Sequence, residues 1–200
     1  MRRSREVAAQ TRRRIVEAAS CEFRKCGIVA TGLNDLMKAA GLTHGGFYKH
    51  FASKDQLVAE ATTAALDALI EGMAALPTIN AAVAAYLSTR HRDNPASGCP
   101  LAAIGSELSR SDRKAREAAT AGFVSLVDIL AGKAGTADAR RRALVAAATL
   151  IGAVTMSRMV TDPELSAVIL REAEKSLTSA ISRTSIGARS SGARPRDERP

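Results

Sequence analysis

Residues 31–51 read TGLNDLMKAAGLTHGGFYKHF, and this stretch limits what the chain can fold into more than any other. Leu33, Leu36 and Met37 recur at three and four residues, Gly41 interrupts, and Phe47 and Phe51 resume the apolar spacing after a polar opening at Thr43. The spacing predicts two short helices joined by a tight turn. Gly41 suits the turn because a residue without Cβ takes positive φ at little cost, and Leu42 plugs the angle between the helices. Thr43 is expected to N-cap the second helix, its hydroxyl accepting from a free amide of the first turn. Such a unit is a helix-turn-helix, whose second helix enters a DNA major groove.

Aromatic spacing divides the labour within that second helix. Phe47 and Phe51 lie four apart on one face and are expected in the core, whereas Tyr48 is turned away by about 100° and is expected in solvent. Tyr48, His50 and Lys54 suit phosphate contacts, and Thr43, His44, Gly45 and Gly46 suit base edges or close backbone approach. Each glycine costs a helix roughly 0.5–1 kcal/mol relative to alanine, which close approach to a duplex would explain. The segment has no arginine, so bidentate reading of guanine falls to Lys49 or Lys38.

The flanks fit the same unit. Ile15, Ala19, Phe23 and Cys26 make one face of a first helix that stops at Gly27, preceded by a basic arm over 1–5. Arg12, Arg13 and Arg14 near its start are either a solvated face or phosphate ligands. Ser53 and Gln56 form a capping box for a long helix, with Leu57, Val58, Ala61, Ala65, Leu69, Ile70 and Met73 as its apolar stripe until Pro77.

The run GLTHGGFYKHF from Gly41, continued by Ser53, Lys54, Asp55 and Leu57 and preceded by a helix ending at Gly27, resembles the TetR family of bacterial transcriptional regulators. The likeness is close over the first third of the chain. Residues 98–109, GCPLAAIGSELS, are similar to a segment of the GCxL-motif branch of that family. The resemblance implies a helix-turn-helix DNA-binding domain at 6–52, a connecting helix at 53–76, and an effector-binding and dimerisation domain at 77–183. It further implies a cytoplasmic homodimer that represses from a palindromic operator in double-stranded DNA and is released by a small molecule that displaces the connecting helix. Met73, Tyr86, Ile104, Phe123 and Met159 are the expected pocket, which points to an apolar or amphipathic effector.

Composition agrees with an all-α chain of about nine helices: 46% of the 200 residues are apolar, alanine dominates them, and aromatics make up 3%. Positive charge is uneven. Residues 1–60 hold 11 Lys/Arg against 6 Asp/Glu, 61–182 hold 13 against 12, and 183–200 hold 5 against 2. The DNA-facing third and the tail are therefore where a polyanion would be met. No secretory signal is visible, and the apolar stretch 143–157 is shorter than the roughly 18 to 20 residues of a membrane span. Cys21, Cys26 and Cys99 lack metal spacing and fit a reducing compartment, so no metal and no cofactor are expected.

In the second half a helix is expected from Thr78 to about Arg92, another from Cys99 to Leu108, and a third capped by Ser111 or Asp112 with Ala119, Phe123, Leu126 and Leu130 buried. Thr136 starts a helix that is apolar on nearly every side, and Asp162 with Pro163 opens the last. A helix apolar all round must be covered all round, so Leu150, Ile151, Val154, Leu165, Ile169 and Leu177 are expected at a two-fold subunit interface. Residues 184–200 read as a disordered basic tail.

Other functions have little to stand on. The chain lacks P-loop, GxGxxG, GxSxG and HExxH motifs, and His91 has no evident partner, which argues against an enzyme. A thiol switch would use Cys99, close to a helix N-terminus. A DNA-compacting protein would bind random and cognate duplex alike.

Overall fold

A computed structural model describes residues 2–132 and 136–190. Among these the chain is all-α: α1 Arg2–Cys26, α2 Leu33–Ala39, a 3₁₀ segment His44–Lys49, α3 Lys54–Ala74, α4 Ile79–Tyr86, α5 Thr89–Asp93, a 3₁₀ turn Pro95–Ser97, α6 Pro100–Leu108, α7 Arg113–Ala131, α8 Ala137–Met159 and α9 Pro163–Ser190. Side chains set the helix starts. Ser53 accepts from the Gln56 amide, Thr78 from Ala81, Ser88 from His91, Asp112 from Ala115 and Thr136 from Ala139. Each satisfies one of the amides that a first turn leaves orphaned. The Gln56 side chain also reaches back to the Ala52 N–H at 2.9 Å, closing the expected capping box one residue early.

Several boundaries differ from expectation. α1 begins at Arg2, so the arm expected over 1–5 is helical from its second residue, as its arginines favour. Residues 78–92 form two helices, because the Ser88 hydroxyl donates to the Ala85 carbonyl and accepts from the His91 amide, closing one helix and opening the next. α9 continues to Ser190, and the rest of the expected tail lies outside the described residues.

Two cores organise the fold, and α3 runs through both. The first gathers Ile15, Phe23, Leu36, Met37, Phe47, Phe51 and Leu57, and it also takes Ile104 and Leu108 of α6 and Ala115 of α7. The second joins Met73, Val83, Tyr86, Leu126, Leu150, Val154, Leu170 and Leu177. α3 and α7 pack closely at Gly122, where a Cβ would stand 2.3 Å from Leu66 Cδ1. No larger residue fits there without moving one helix.

The second core takes three of the six residues expected at the subunit interface. Leu150, Val154 and Leu177 are buried inside the subunit, Ile151 and Ile169 pack against the same core, and Leu165 alone of the six is exposed. Periodicity could not say which side of a helix apolar all round would turn inward. The outward side of α8 carries Leu144, Val145, Met156 and Met159. Among the described residues α8 is also the one helix long and apolar enough to cross a membrane, although Ala143, Ala147, Leu150 and Val154 commit its inner side to the core.

Candidate DNA-binding surface

The recognition segment is a single 3₁₀ stretch clamped to the first core by its own aromatics. Gly41 takes φ +67° and makes the turn, and the Leu42 amide then bonds the Met37 carbonyl at 2.8 Å. The Gly46 amide bonds Thr43 O at 3.1 Å and the His50 amide bonds Phe47 O at 2.9 Å, the i to i+3 pattern that tightens the coil. Thr43 is extended and makes no side-chain cap, so that expectation fails. The short ring leaves its hydroxyl free and exposed. Phe47 and Phe51 are buried and stacked, with centroids 5.6 Å apart.

What this clamp presents is Tyr48, 66% exposed and edge-on to Phe47 with 5.2 Å between centroids. Thr43, His44, Gly45 and Lys49 are exposed beside it, and His50 is half-buried. The two glycines differ. A Cβ on Gly45 would meet open space, whereas one on Gly46 would face Met37 Cε at 3.5 Å. Gly45 therefore looks outward and Gly46 looks toward the supporting helix.

Lys54 is committed elsewhere. Its ammonium donates to the carbonyls of Ile28 at 2.5 Å and Thr31 at 2.7 Å, above the Phe23 ring. The α1–α2 loop has carbonyls without helical partners, and a first-turn lysine beside them satisfies two. Sequence spacing could not reveal that use, because the partners lie more than twenty residues away.

Two of the three N-terminal arginines are also occupied. Arg12 makes a bidentate pair with Glu60, stacks over the Phe51 ring at 4.4 Å and donates to the His50 carbonyl at 3.4 Å. The shared hydrogen bond raises the Arg12 pKa and lowers that of Glu60. Arg14 donates to the Ala40 carbonyl at 2.7 Å, holding the turn. Arg13, Lys38 and Lys49 are exposed cations on this part of the chain.

Polar contacts missed in the sequence tie α1 to the second domain. Arg24 donates to Gly98 O at 2.7 Å and to Ser20, and the Glu107 carboxylate accepts from the Val29 amide at 2.8 Å. His91, without an evident partner in sequence, bridges the Cys99 amide and the Tyr86 carbonyl. Cys99 itself is 0% exposed, and burial pushes its thiol pKa up, which opposes the reactive thiolate a redox switch requires.

The five expected effector contacts do not converge. Met73, Tyr86 and Phe123 meet in the second core, Ile104 is in the first, and Met159 is exposed on α8. Ile104 lies where α6 bends, with φ −131° and ψ 19°, and packs with the first core. An open cavity of about 440 Å³ lies at the ends of α3 and α7, lined by Met73, Leu76, Ile79, Asp128 and Ile129. Among the described residues no group of three or more His, Cys, Asp or Glu could hold a metal ion.

Fold and surface together define a helix-turn-helix DNA-binding regulator with a helical second domain. Residues 15–61 match the model for bacterial regulatory proteins of the tetR family, and residues 73–169 match the LmrA/YxaF-like transcriptional regulator C-terminal domain. The chain belongs to the TetR family of transcriptional regulators. The HTH-type transcriptional regulator TtgR of Pseudomonas putida is 44% identical over 71 residues, 36% of this chain and 32% of that protein. The HTH-type transcriptional repressor KstR2 of Mycobacterium tuberculosis is 38% identical over 64 residues, 30% of this chain and 32% of that one. The chain thus spans about a third of the curated relatives it matches. A TetR transcriptional regulator from Chloroflexus aurantiacus superposes with a TM-score of 0.71 at 27% identity, covering 91% of this chain and 97% of that one. The two matches place a tetR-type regulatory domain at 15–61 and a transcriptional-regulator C-terminal domain at 73–169 on one chain.

Proposed function

We propose that two copies of this chain bind a palindromic operator as a cytoplasmic repressor and leave it when a small effector occupies the second domain. The observation that carries the reading is the outward face of the 3₁₀ segment, Tyr48 with Thr43, His44, Gly45 and Lys49, held rigid by the buried Phe47 and Phe51. Tyr48 donates to phosphate, Lys49 serves a phosphate or a guanine edge, and Thr43, His44 and the open backbone at Gly45 meet base edges. Lys54 acts indirectly, by holding the α1–α2 loop.

Dimerisation is supported by the outer side of α8. Val145 at 64% exposure, Met156 and Met159 lie on it in a row, with Leu165 following on α9, and an apolar strip of this kind is covered by a symmetry mate. Recognition segments about 34–36 Å apart then read successive major grooves. An effector that prefers the form with mis-spaced segments weakens DNA binding by the same coupling energy, typically about 1–3 kcal/mol. Repression is supported by the KstR2 relative, itself named a repressor.

Selection of bound sequences from a random duplex pool tests the reading. A palindrome with half-sites one helical turn apart is expected; enrichment of a single asymmetric site, or of no sequence at all, would overturn it.

A further inference from the structure

Two buried donors in the second domain lack an oxygen or nitrogen acceptor among the described residues. The hydroxyl of Tyr86, a residue 3% exposed, and Nη1 of Arg158 are both shielded from solvent. Neither side chain is free to turn away. Arg158 is fixed by Nε to the Arg92 carbonyl at 2.9 Å and by Nη2 to the His91 carbonyl at 2.7 Å. The Tyr86 ring stands edge-on to the His91 ring, 4.6 Å between centroids.

The surroundings select the sign of what fits. Tyr86 and Arg158 both face the Cys99 sulfur, and so do the amides of Leu101 and Ala102 in the first turn of α6. Hydroxyl, guanidinium and amides are all donors, and a thiol sulfur is a poor acceptor. Burial raises the Tyr86 pKa well above its ordinary value, so the hydroxyl keeps its proton and donates. Asp93, the acid whose charge reaches Arg158, is exposed and gives both its oxygens to Arg92. Buried donors in folded proteins are met by acceptors, and a planar guanidinium beside a hydroxyl matches a carboxylate.

We propose that Tyr86 and Arg158 form a head-group site for a small amphipathic carboxylate, whose two oxygens accept from the Tyr86 hydroxyl and Arg158 Nη1 and whose apolar part lies against the second core. Arg158 is half-buried although its Nη1 is enclosed, so the site lies close beneath the surface. The site rests on the second domain being the effector domain, and it narrows the effector from apolar or amphipathic to amphipathic and acidic.

Titration of the full chain without DNA tests it, using hexanoate and benzoate as probes, hexan-1-ol as the uncharged control, and both calorimetry and thermal unfolding as readouts. Saturable binding of at least one acid is expected, with affinity falling at least about tenfold for hexan-1-ol, Tyr86→Phe and Arg158→Gln. Tyr86→Phe removes only a hydroxyl whose polar neighbour is the weakly accepting Cys99 thiol, so the melting temperature of the free variant should change little, and its loss of binding will not come from misfolding. Equal acid affinity in wild type and Tyr86→Phe, or no saturation by either acid up to about 10 mM, overturns the site. Operator binding measured beside it separates the two readings: acid binding that leaves operator affinity unchanged sustains the site and sinks effector release.

Discussion

Cys99 donates its backbone N–H to Nε2 of His91 at 2.8 Å, and this one bond decides the state of the imidazole. With Nε2 accepting, the proton must sit on Nδ1, which donates to the Tyr86 carbonyl at 2.6 Å. The neutral ring thereby joins the end of α4, the short α5 and the start of α6. Burial, followed by the charges of Arg158 and Arg24, holds the His91 pKa below its ordinary value.

Acid should therefore loosen the second domain early. The unfolded chain takes up a proton at His91 near pH 6.5 while the folded chain resists it, so stability is full above about pH 6.5 and falls as pH drops below it. Thermal unfolding followed by circular dichroism from pH 8 to 5 checks this. His91→Phe should melt lower at pH 8, by about 1–3 kcal/mol for each group left unpaired, and should lose the slope below pH 6.5.

Arg12 and Glu60 give a second, later acid transition. The Arg12 guanidinium holds the Glu60 carboxyl below its ordinary pKa, so the contribution is present above about pH 4.3 and is lost as pH falls below that. Both side chains are about a third exposed, which limits the pair to roughly 0.5–1 kcal/mol. Glu60→Gln should lower the melting temperature by about 1–4 °C at pH 7, and the gap should close once wild-type Glu60 is itself protonated.

Tyr48 and Lys49 should separate under salt titration of operator binding. Tyr48→Phe is expected to weaken all duplex sequences alike, by about three- to tenfold, with the fold and the salt slope unchanged. Loss confined to one base position would contradict its phosphate role. Lys49→Ala should flatten the slope of log affinity against log salt by about 0.9 for each subunit if it neutralises a phosphate, and should relax one base position if it reads guanine.

Charge placed on the outer side of α8 should separate the subunits. Val145→Glu with Met156→Glu is expected to give a helical monomer in sedimentation at micromolar concentration, and operator binding should disappear with the dimer. A dimer that survives both changes would move the interface elsewhere.

Much of the first domain was legible because it rests on short-range rules. Positive φ at Gly41, the Ser53 cap, burial of Phe47 and Phe51 and exposure of Tyr48 follow from residues within a few positions of one another. The Thr43 cap failed within the same stretch, since the segment coils as 3₁₀ and its first turn does not gather amides around that hydroxyl. In the second domain the starts at Asp112 and Thr136 were equally readable, but the pocket residues were not. Ile104 had the right residue type and spacing and still belongs to the other core.

By itself the sequence determined the helical class, the helix-turn-helix and most of the helix starts, because capping, turn chemistry and apolar period act over three or four residues. Tertiary structure alone decided that Lys54 holds a loop, that α8 turns Leu150 and Val154 inward, and that His91, Tyr86, Arg158 and Cys99 meet. Those outcomes depend on carbonyls, rings and charges brought in from distant parts of the chain. A side chain's own neighbours in sequence carry no record of which of them will arrive.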